Sequence, residues 1–354
     1  MKTTHLPLMR LSFLFVTIFV LSSMNIYSQE AGSCAEKLKN AQTLFQEGHV
    51  EQVPSMISEC LKSGFNREES LAAYKVIIQS YLLEEKLEMA DSTMLAFLKI
   101  NPEYQISPTD HSSFVNLFNE FKVKPVVQIV LHVGTNMPFL TFIAPKTVSG
   151  VPDQKLYSTK ALNLLVSFEA KFELTKRTDL NFEAGYSKVV FSSVEDFMGF
   201  GKVNYSETQN RIEVPVSLTY NFKGFGKFTP YARLGLGGAF TLSSSAKVSF
   251  DPTDLNNPGR RTGPDLDRKG SRIFMDPFAQ IGGGLKFKIR GGYFTGELRS
   301  NIGFLNQVTR GGDPVTEQEL DFKYNYVDDD FHLNTLNFSL GYTRIFYKPS
   351  KRKE

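Results

Sequence analysis

The residues of this chain whose types could do chemistry are histidines and aspartates. His332 follows Asp328, Asp329 and Asp330, and His132 lies on the polar side of a strand-like segment. A histidine beside a carboxylate can act as a general base, as in a hydrolase at the rim of a membrane barrel. The alternative is that His132 belongs to a hydrogen-bonded network and that the Asp run is a solvated loop. We favour the alternative and expect no enzymatic activity.

Motifs for a metal or a cofactor are weak in the sequence. The acidic residues Asp251, Asp254, Asp265 and Asp267 resemble a calcium site in composition but lack the ligand spacing of an EF-hand loop. There is no phosphate-binding glycine loop and no zinc-ligand spacing. The sequence therefore predicts neither a bound metal nor a cofactor.

The amino-terminal segment predicts export. Lys2 and Arg10 precede an apolar run over 11–21, followed by small and polar residues. This run is too short to span a bilayer, so we interpret residues 1–28 as a signal peptide. The alternative is a lipoprotein whose cleavage box is Ala31 to Cys34, but that box lies far beyond the apolar run. No second apolar run of spanning length follows, so any membrane insertion must be by strands.

The net charge and the cysteines indicate which partners and which compartment suit this chain. The net charge of +3 is too small, and too evenly mixed, to indicate nucleic acid binding. The only cysteines, Cys34 and Cys60, are expected to form a disulfide because the chain is exported. Two free thiols are the alternative.

A helical domain is predicted over residues 31–124. Apolar residues recur at helical spacing in two pairs of helices, and glycines at 48 and 64 end the first two. Tyr81, Ala90 and Pro102 stand at spacings that resemble a tetratricopeptide repeat, although Phe97 replaces a small residue of that repeat. The resemblance implies a module that binds protein segments. A compact helical cap without a partner is the alternative.

An eight-stranded barrel is predicted over residues 125–348, with a charged tail over 349–354. In the segment 161–174, apolar residues alternate with polar or charged ones, and similar segments recur along the chain. Pro215 and Pro277 interrupt two of them, at expected bulges or strand ends. The predicted strands start near Val126, Ala161, Leu180, Arg211, Phe228, Arg272, Tyr293 and His332.

The predicted connections alternate between short and long. Segments 175–179, 223–227 and 289–292 read as tight turns, whereas 137–160, 192–208, 244–270 and 307–330 read as long polar loops. This alternation is typical of an outer-membrane barrel with periplasmic turns and external loops. An even strand number puts both ends of the barrel on the turn side, which predicts a periplasmic helical domain.

The polar faces of these strands carry too many charges of both signs for casual solvent exposure. We therefore expect them to line a closed lumen, with the apolar faces in contact with outer-membrane lipid. A soluble carrier with the faces reversed is the alternative. The predicted lumen network contains Glu169, Lys171, Glu183, Arg211, Glu213, Arg233, Lys286, Glu297 and Arg299.

The strand pattern, the glycine-rich stretches 234–240 and 281–285 and the last strand over 336–347 resemble the PorT-like outer-membrane β-barrel family, which is built like the small OmpA-type barrel. Ser339, Gly341 and Phe346 resemble a barrel-assembly signal, from which Arg344 departs. The resemblance implies an accessory role in protein secretion. Our leading hypothesis is a non-catalytic barrel that anchors a periplasmic helical module for interaction with an envelope protein, in assembly, secretion or adhesion.

Overall fold

The computed structural model describes residues 31–144, 146, 155–159, 163–197, 199–253, 259–309 and 314–352. The predicted signal peptide, the predicted strand start at Ala161 and Asp254 lie outside these residues. The chain divides into two compact units. The first contains the residues up to Lys124 together with Tyr347–Glu354, and the second contains Pro125–Phe346.

The described part of the first unit contains five helices and a short 3-10 turn at Val50–Gln52. The helices are α1 Ala31–Glu47, α2 Val53–Lys62, α3 Arg67–Leu83, α4 Leu87–Ile100 and α5 Ser112–Asn119. Gly48 has a φ of 86°, which lets the chain leave α1 in the left-handed region. Asn66 begins α3 with a capping box: its side chain accepts from the backbone of Glu69, whose carboxylate accepts from the Asn66 N–H.

Two apolar clusters hold this unit together. One gathers Ala41, Val53 and Ile57 from α1 and α2 with residues of α3. The other is built around Phe97 and Phe114, whose rings pack edge to face with centroids 5.5 Å apart. Cys34 of α1 and Cys60 of α2 form a disulfide, with their Cα atoms 5.7 Å apart. No helix among the described residues is long and apolar enough to cross a membrane.

The second unit is built from β-strands. In chain order they are β1 Phe121–Ala144, β2 Leu156–Thr159, β3 Asn163–Glu173, β4 Thr178–Phe197, β5 Gly201–Asn221, β6 Phe228–Pro252, β7 Arg261–Thr262, β8 Leu266–Asp267, β9 Met275–Ile289, β10 Gly292–Gly303 and β11 Asp330–Lys351. One further helix, α6, covers Pro314–Tyr324.

Eight of these strands close into a ring in the order β1-β3-β4-β5-β6-β9-β10-β11, and β11 is hydrogen-bonded to β1. The other seven pairings are antiparallel. The short strand β2 pairs with the part of β4 far from the turns, and β7 and β8 pair with the corresponding part of β6. The prediction of amino-terminal helices followed by an antiparallel β-barrel is confirmed at this level.

The strands are longer than predicted on the side opposite the tight turns. The predicted loop 192–208 is wrong, because β4 continues to Phe197 and β5 begins at Gly201. β1 and β6 likewise extend into the predicted loops 137–160 and 244–270. The predicted loop 307–330 contains α6. Serine-rich and charged residues on the outer faces of β4, β5 and β6 give these three extensions the composition of loops.

Neither proline lies at a bulge, and only Pro277 lies near the end of a strand, which was the other alternative that the sequence left open. Pro215 lies inside β5, where the β4–β5 ladder is interrupted between Phe182↔Val216 and Gly185↔Glu213 without a change of register. A proline has no N–H to donate, so the ladder opens locally and then resumes. Pro277 is the third residue of β9. The register shift of this sheet lies instead opposite Asn210, on β6.

Candidate functional site

Arg233 is the centre of the barrel interior. Its guanidinium donates to both carboxylate oxygens of Glu169 at 2.8 and 3.0 Å and to Glu183 at 3.2 Å. Its Nε also lies 2.9 Å from a carboxylate oxygen of Glu297. All four side chains are almost completely buried. One cation therefore binds three carboxylates that come from three other strands.

Arg299 completes this interior cluster. It donates to Glu183 at 2.5 Å, and its Nε lies 3.4 Å from Glu297. Neutral donors supply further hydrogen bonds to the same carboxylates: Ser167 donates to Glu183 at 2.5 Å and Tyr231 to Glu297 at 2.6 Å. Buried carboxylates are tolerated only when charges and hydrogen bonds satisfy them, and these groups meet that condition.

His132 is joined to the same cluster. Its Nε2 lies 2.7 Å from Glu169, and its ring lies against Gly341 of β11. A Cβ atom at position 341 would come within 2.8 Å of Nδ1 of His132, so only glycine leaves room for the ring. His132 therefore belongs to the buried hydrogen-bonded network, because it contacts Glu169, which Arg233 also binds.

The remaining predicted lumen residues lie in neighbouring pairs. Arg211 lies 3.5 Å from Asp276, and Lys286 lies 3.2 Å from Asp179. Glu213 accepts a hydrogen bond from Asn301 at 2.9 Å. The structure brings six of the predicted residues into one cluster, namely Glu169, Lys171, Glu183, Arg233, Glu297 and Arg299. Arg211, Glu213 and Lys286 line the interior beside it.

A second charged cluster, which the sequence interpretation missed, lies farther from the turns. Arg272 donates to Glu207 at 2.6 and 2.8 Å and to Asp328 at 2.8 and 3.0 Å. Arg268 also donates to Asp328. Burial alone would raise the pKa of the Asp328 carboxyl, but the two guanidinium groups outweigh it and hold that pKa below its usual range. Asp328 therefore remains charged.

The aspartate run is not the solvated loop that we expected. Asp329 is buried and accepts hydrogen bonds from Tyr157 at 2.6 Å and from Lys155 at 3.2 Å. Asp330 lies 2.7 Å from Lys146. These carboxylates tie the start of β11 to the connection between β1 and β3, because two lysines and a tyrosine of that connection lie against them.

The barrel reverses its polarity along its length. Near the turns, charged side chains point inward and apolar ones point outward. Beyond Tyr186 of β4 and Ile212 of β5, apolar inward side chains such as Phe191 and Val203 form a buried core beside the charged cluster of Arg272. The rings of Tyr205 and Tyr326 stack there at 4.1 Å. On β4, β5 and β6 this farther part carries serine, asparagine and lysine on its outside, whereas β1 carries apolar outward residues as far as Ile143.

Hydrogen bonds mark the level at which the polarity changes. The Tyr186 hydroxyl donates to the side chain of Asn210 at 2.6 Å, and the Asn210 amide donates to Ser243 at 2.8 Å. These three residues lie side by side on the outer surface of β4, β5 and β6. Leu242 is the extra residue of β6 at this level, between the paired residues Thr241 and Ser243. We call Tyr186, Asn210 and Ser243 the polar belt.

Metal-ligand geometry is not found in the part of the chain that the structure describes. No group of three or more histidine, cysteine, aspartate or glutamate side chains there could hold a metal ion. Two of the acidic residues that resemble a calcium site in composition pair with basic side chains: Asp251 lies 3.1 Å from Arg260, and Asp265 lies 3.3 Å from Lys247.

Known structures with a similar architecture are outer-membrane proteins. Neisserial surface protein A is 10% identical, with a TM-score of 0.32 over 62% of this chain and 97% of that chain. Ail, the attachment invasion locus protein of Yersinia pestis, is 10% identical, with a TM-score of 0.28 over 62% and 99%. The outer membrane protease OmpT from Escherichia coli is 8% identical, with a TM-score of 0.26 over 64% and 98%. No protein-family model and no curated protein sequence matches the chain.

Proposed function

We propose that this chain is a non-catalytic outer-membrane β-barrel that anchors a periplasmic helical module for protein interaction. One observation carries the membrane part of the proposal. On β4, β5 and β6 the outer surface of the barrel is an apolar band that ends at the polar belt, while the interior behind that band is charged. The outward residues of the band are Ile212, Val214, Val216, Leu218 and Tyr220 on β5 and Phe222 directly after it, and the outward residues of β5 beyond the band are polar.

The height of the band suits an outer membrane. Ile212 and Phe222 are ten residues apart, about 33 Å along a strand at roughly 3.3 Å per residue. At a tilt of about 40° this corresponds to a height of about 25 Å, the thickness of the apolar band in barrels of this kind. A soluble carrier would have the opposite arrangement, with its apolar side chains inside at this level.

The orientation follows from chain connectivity. β1 begins and β11 ends on the side of the tight turns, which in outer-membrane barrels faces the periplasm. The residues before β1 then belong to the periplasm, and export requires the proposed signal peptide over 1–28. The long extensions of β4, β5 and β6, with their soluble-type core, belong to the cell exterior.

The helical module has features of a protein-binding unit. α3 and α4 form an antiparallel hairpin whose tip exposes Leu83, Leu87 and Met89. We interpret the module as tetratricopeptide-like, since Ala90 is fully buried between helices, where such repeats require a small side chain. Exposed apolar residues at one place favour contact with another protein. The partner belongs to the envelope, and the role is in assembly, secretion or adhesion.

Two other functions remain as alternatives. An accessory role in a protein secretion machine follows from the resemblance to PorT-like barrels. A rim hydrolase would have to use His132 or His332. Against this alternative stands the position of His132, which is completely buried beside Glu169 and Arg233.

Fractionation and gel mobility test the barrel proposal. The protein is expected in the outer-membrane fraction, and its detergent-solubilised form should migrate differently with and without boiling, because a closed barrel resists unfolding by detergent at room temperature. Recovery from the soluble periplasm, or identical mobility of both samples, would contradict the proposal.

Protease accessibility tests the orientation. Protease added to intact cells is expected to cut only external segments, such as the region around Arg260 and Arg261, which are exposed. Cleavage at the exposed Lys62 of the helical module should require a breach of the outer membrane. The fragments can be separated by immunoblotting with tags at the two ends of the mature chain. Cleavage of the module in intact cells would rule out its periplasmic role.

A further inference from the structure

A cavity of about 390 Å³ opens on the turn side of the barrel. Its volume is in the range of small-ligand sites. Lys176, Arg177 and Lys286 contribute three cations to its lining, whereas Glu173 and Asp179 contribute two carboxylates. The cavity therefore has a net positive lining.

The acidic group deepest in this lining is already neutralised. Asp179 is buried and lies 3.2 Å from Lys286, and it accepts a hydrogen bond from Asn221 at 3.0 Å. Lys176 and Arg177 are exposed at the turn between β3 and β4. The positive charge that these two residues bring to the cavity is thus not cancelled by Asp179.

A further cation lies close by in the interior. Lys171 and Lys286 both face the ring of Tyr231, with their Nζ atoms 5.7 and 5.3 Å from its centroid. The Lys171 ammonium is buried without a hydrogen-bond partner among the described residues, at 3.6 Å from Glu169. Glu169 already accepts two hydrogen bonds from Arg233. Lys171 therefore places a further cation beside the cavity, within a cluster whose charges balance.

The three tight turns of the barrel share this sign of charge. Segments 174–177, 222–227 and 290–291 contain five basic residues and no acidic one. The basic residues are Lys176, Arg177, Lys223, Lys227 and Arg290. A ring of basic residues at this end of the band would lie at the headgroup level of the adjacent leaflet, where it attracts anionic lipid.

The cavity also has an apolar side. Phe222 lines it and belongs to the outward aromatic residues at the end of the band, with its ring 5.2 Å from that of Tyr220. Arg177 donates to the Tyr220 hydroxyl at 3.5 Å, which places its guanidinium beside the same surface. A ligand here would meet cations and an apolar surface together. That combination fits a molecule with an anionic head and acyl chains.

We propose that the turn-side cavity binds the phosphate group of an anionic phospholipid from the leaflet that faces the turns. Lys176, Arg177 and Lys286 would bind the phosphate, and the acyl chains would lie along Phe222 and Tyr220. This inference rests on the proposed membrane insertion. A zwitterionic phospholipid carries a compensating ammonium group and would bind less well, because the cations of the cavity repel it.

Lipid retention by the purified full-length protein tests this site. The protein is exchanged into micelles that contain equal amounts of phosphatidylglycerol and phosphatidylethanolamine, and the bound lipids are counted by native mass spectrometry. We expect phosphatidylglycerol to be retained at least about tenfold more often, since each basic residue near an anionic lipid contributes to binding. The double variant Lys176→Gln, Arg177→Gln should lose most of this preference.

A matched control removes the same charge at the other end of the barrel. Lys202→Gln together with Lys247→Gln changes two exposed lysines beyond the polar belt and should keep the preference. Equal retention of both lipids, or an equal loss in both double variants, would overturn the site. Displacement of phosphatidylglycerol by soluble glycerol 3-phosphate at similar concentration would assign the cavity to free phosphate compounds and overturn the lipid assignment.

The mobility shift on boiling separates this result from the proposed function. A wild-type protein without the shift would overturn membrane insertion and the lipid site together. A wild-type protein with the shift but without lipid preference would overturn the lipid site alone. The variant Lys286→Met tests the site inside the cavity. Its lipid retention is compared with that of the wild type when the variant still shows the mobility shift on boiling, which indicates a folded barrel.

Discussion

Replacing Arg233 with methionine is expected to lower the free energy of unfolding of the barrel by about 3–5 kcal/mol. Methionine has a similar length but no charge, so Glu169, Glu183 and Glu297 would lose the cation that they share. Three buried carboxylates would then face Arg299 and Lys171 alone. The loss can be measured by urea titration in detergent, followed by circular dichroism because the chain has no tryptophan.

The control for this prediction is Arg344→Met. Arg344 is an exposed arginine on β11, so its removal leaves no buried carboxylate without a partner. We expect its effect to stay within about 1 kcal/mol, as for most exposed charges. If both variants unfold at the same urea concentration, the interior cluster does not stabilise the barrel, and our description of Arg233 as its centre is wrong.

A charge on the apolar band is expected to have the second largest effect. Val216 points outward near the middle of the band on β5. Val216→Arg should cost about 2–4 kcal/mol, because an arginine at the midplane of the membrane loses its hydration. Folding into lipid vesicles, followed by gel mobility over a denaturant series, measures this cost.

The same strand supplies the matched control. Thr208 points outward like Val216 but lies beyond the polar belt. Thr208→Arg should cost at most about 1 kcal/mol, because the side chain remains in water or at the interface. Equal costs at the two positions would mean that the polar belt is not the membrane boundary. A larger cost at position 208 would mean that the apolar band does not face lipid.

The part of the barrel near the turns could be predicted from sequence. The turn ends of the eight strands, and the separation of apolar from charged residues over Leu164 to Glu173, follow from an alternation of period two. Each charged residue there has an apolar neighbour on either side, which is the pattern of a strand between lipid and a polar interior. The tight turns at 174–177 and 290–291 could be predicted because only a few residues separate the alternating segments on either side of them.

The far part of the barrel could not be predicted in the same way. On β5, Asn204, Ser206 and Thr208 point outward, and polar residues at such density indicate a loop when no partner strand is known.

The cluster around Arg272 was missed for another reason. Glu207 and Asp328 are 65 and 56 residues away from Arg272, so only the closed ring and the inward turn of the segment after α6 bring them together. A clue was present in the alternation of Glu207, Arg211 and Glu213 on one face.

The reversal of polarity along the barrel implies two different temperature responses within one sheet. The core of Phe191, Val203 and Tyr326 excludes water, so its exposure on unfolding should raise the heat capacity, as in a soluble domain. The band beside it exchanges lipid or detergent for protein and should add little to that change. Cooling therefore weakens the water-facing part more than the lipid-facing part. In the cold, the extensions of β4, β5 and β6 should loosen first, while the strands below the polar belt remain paired.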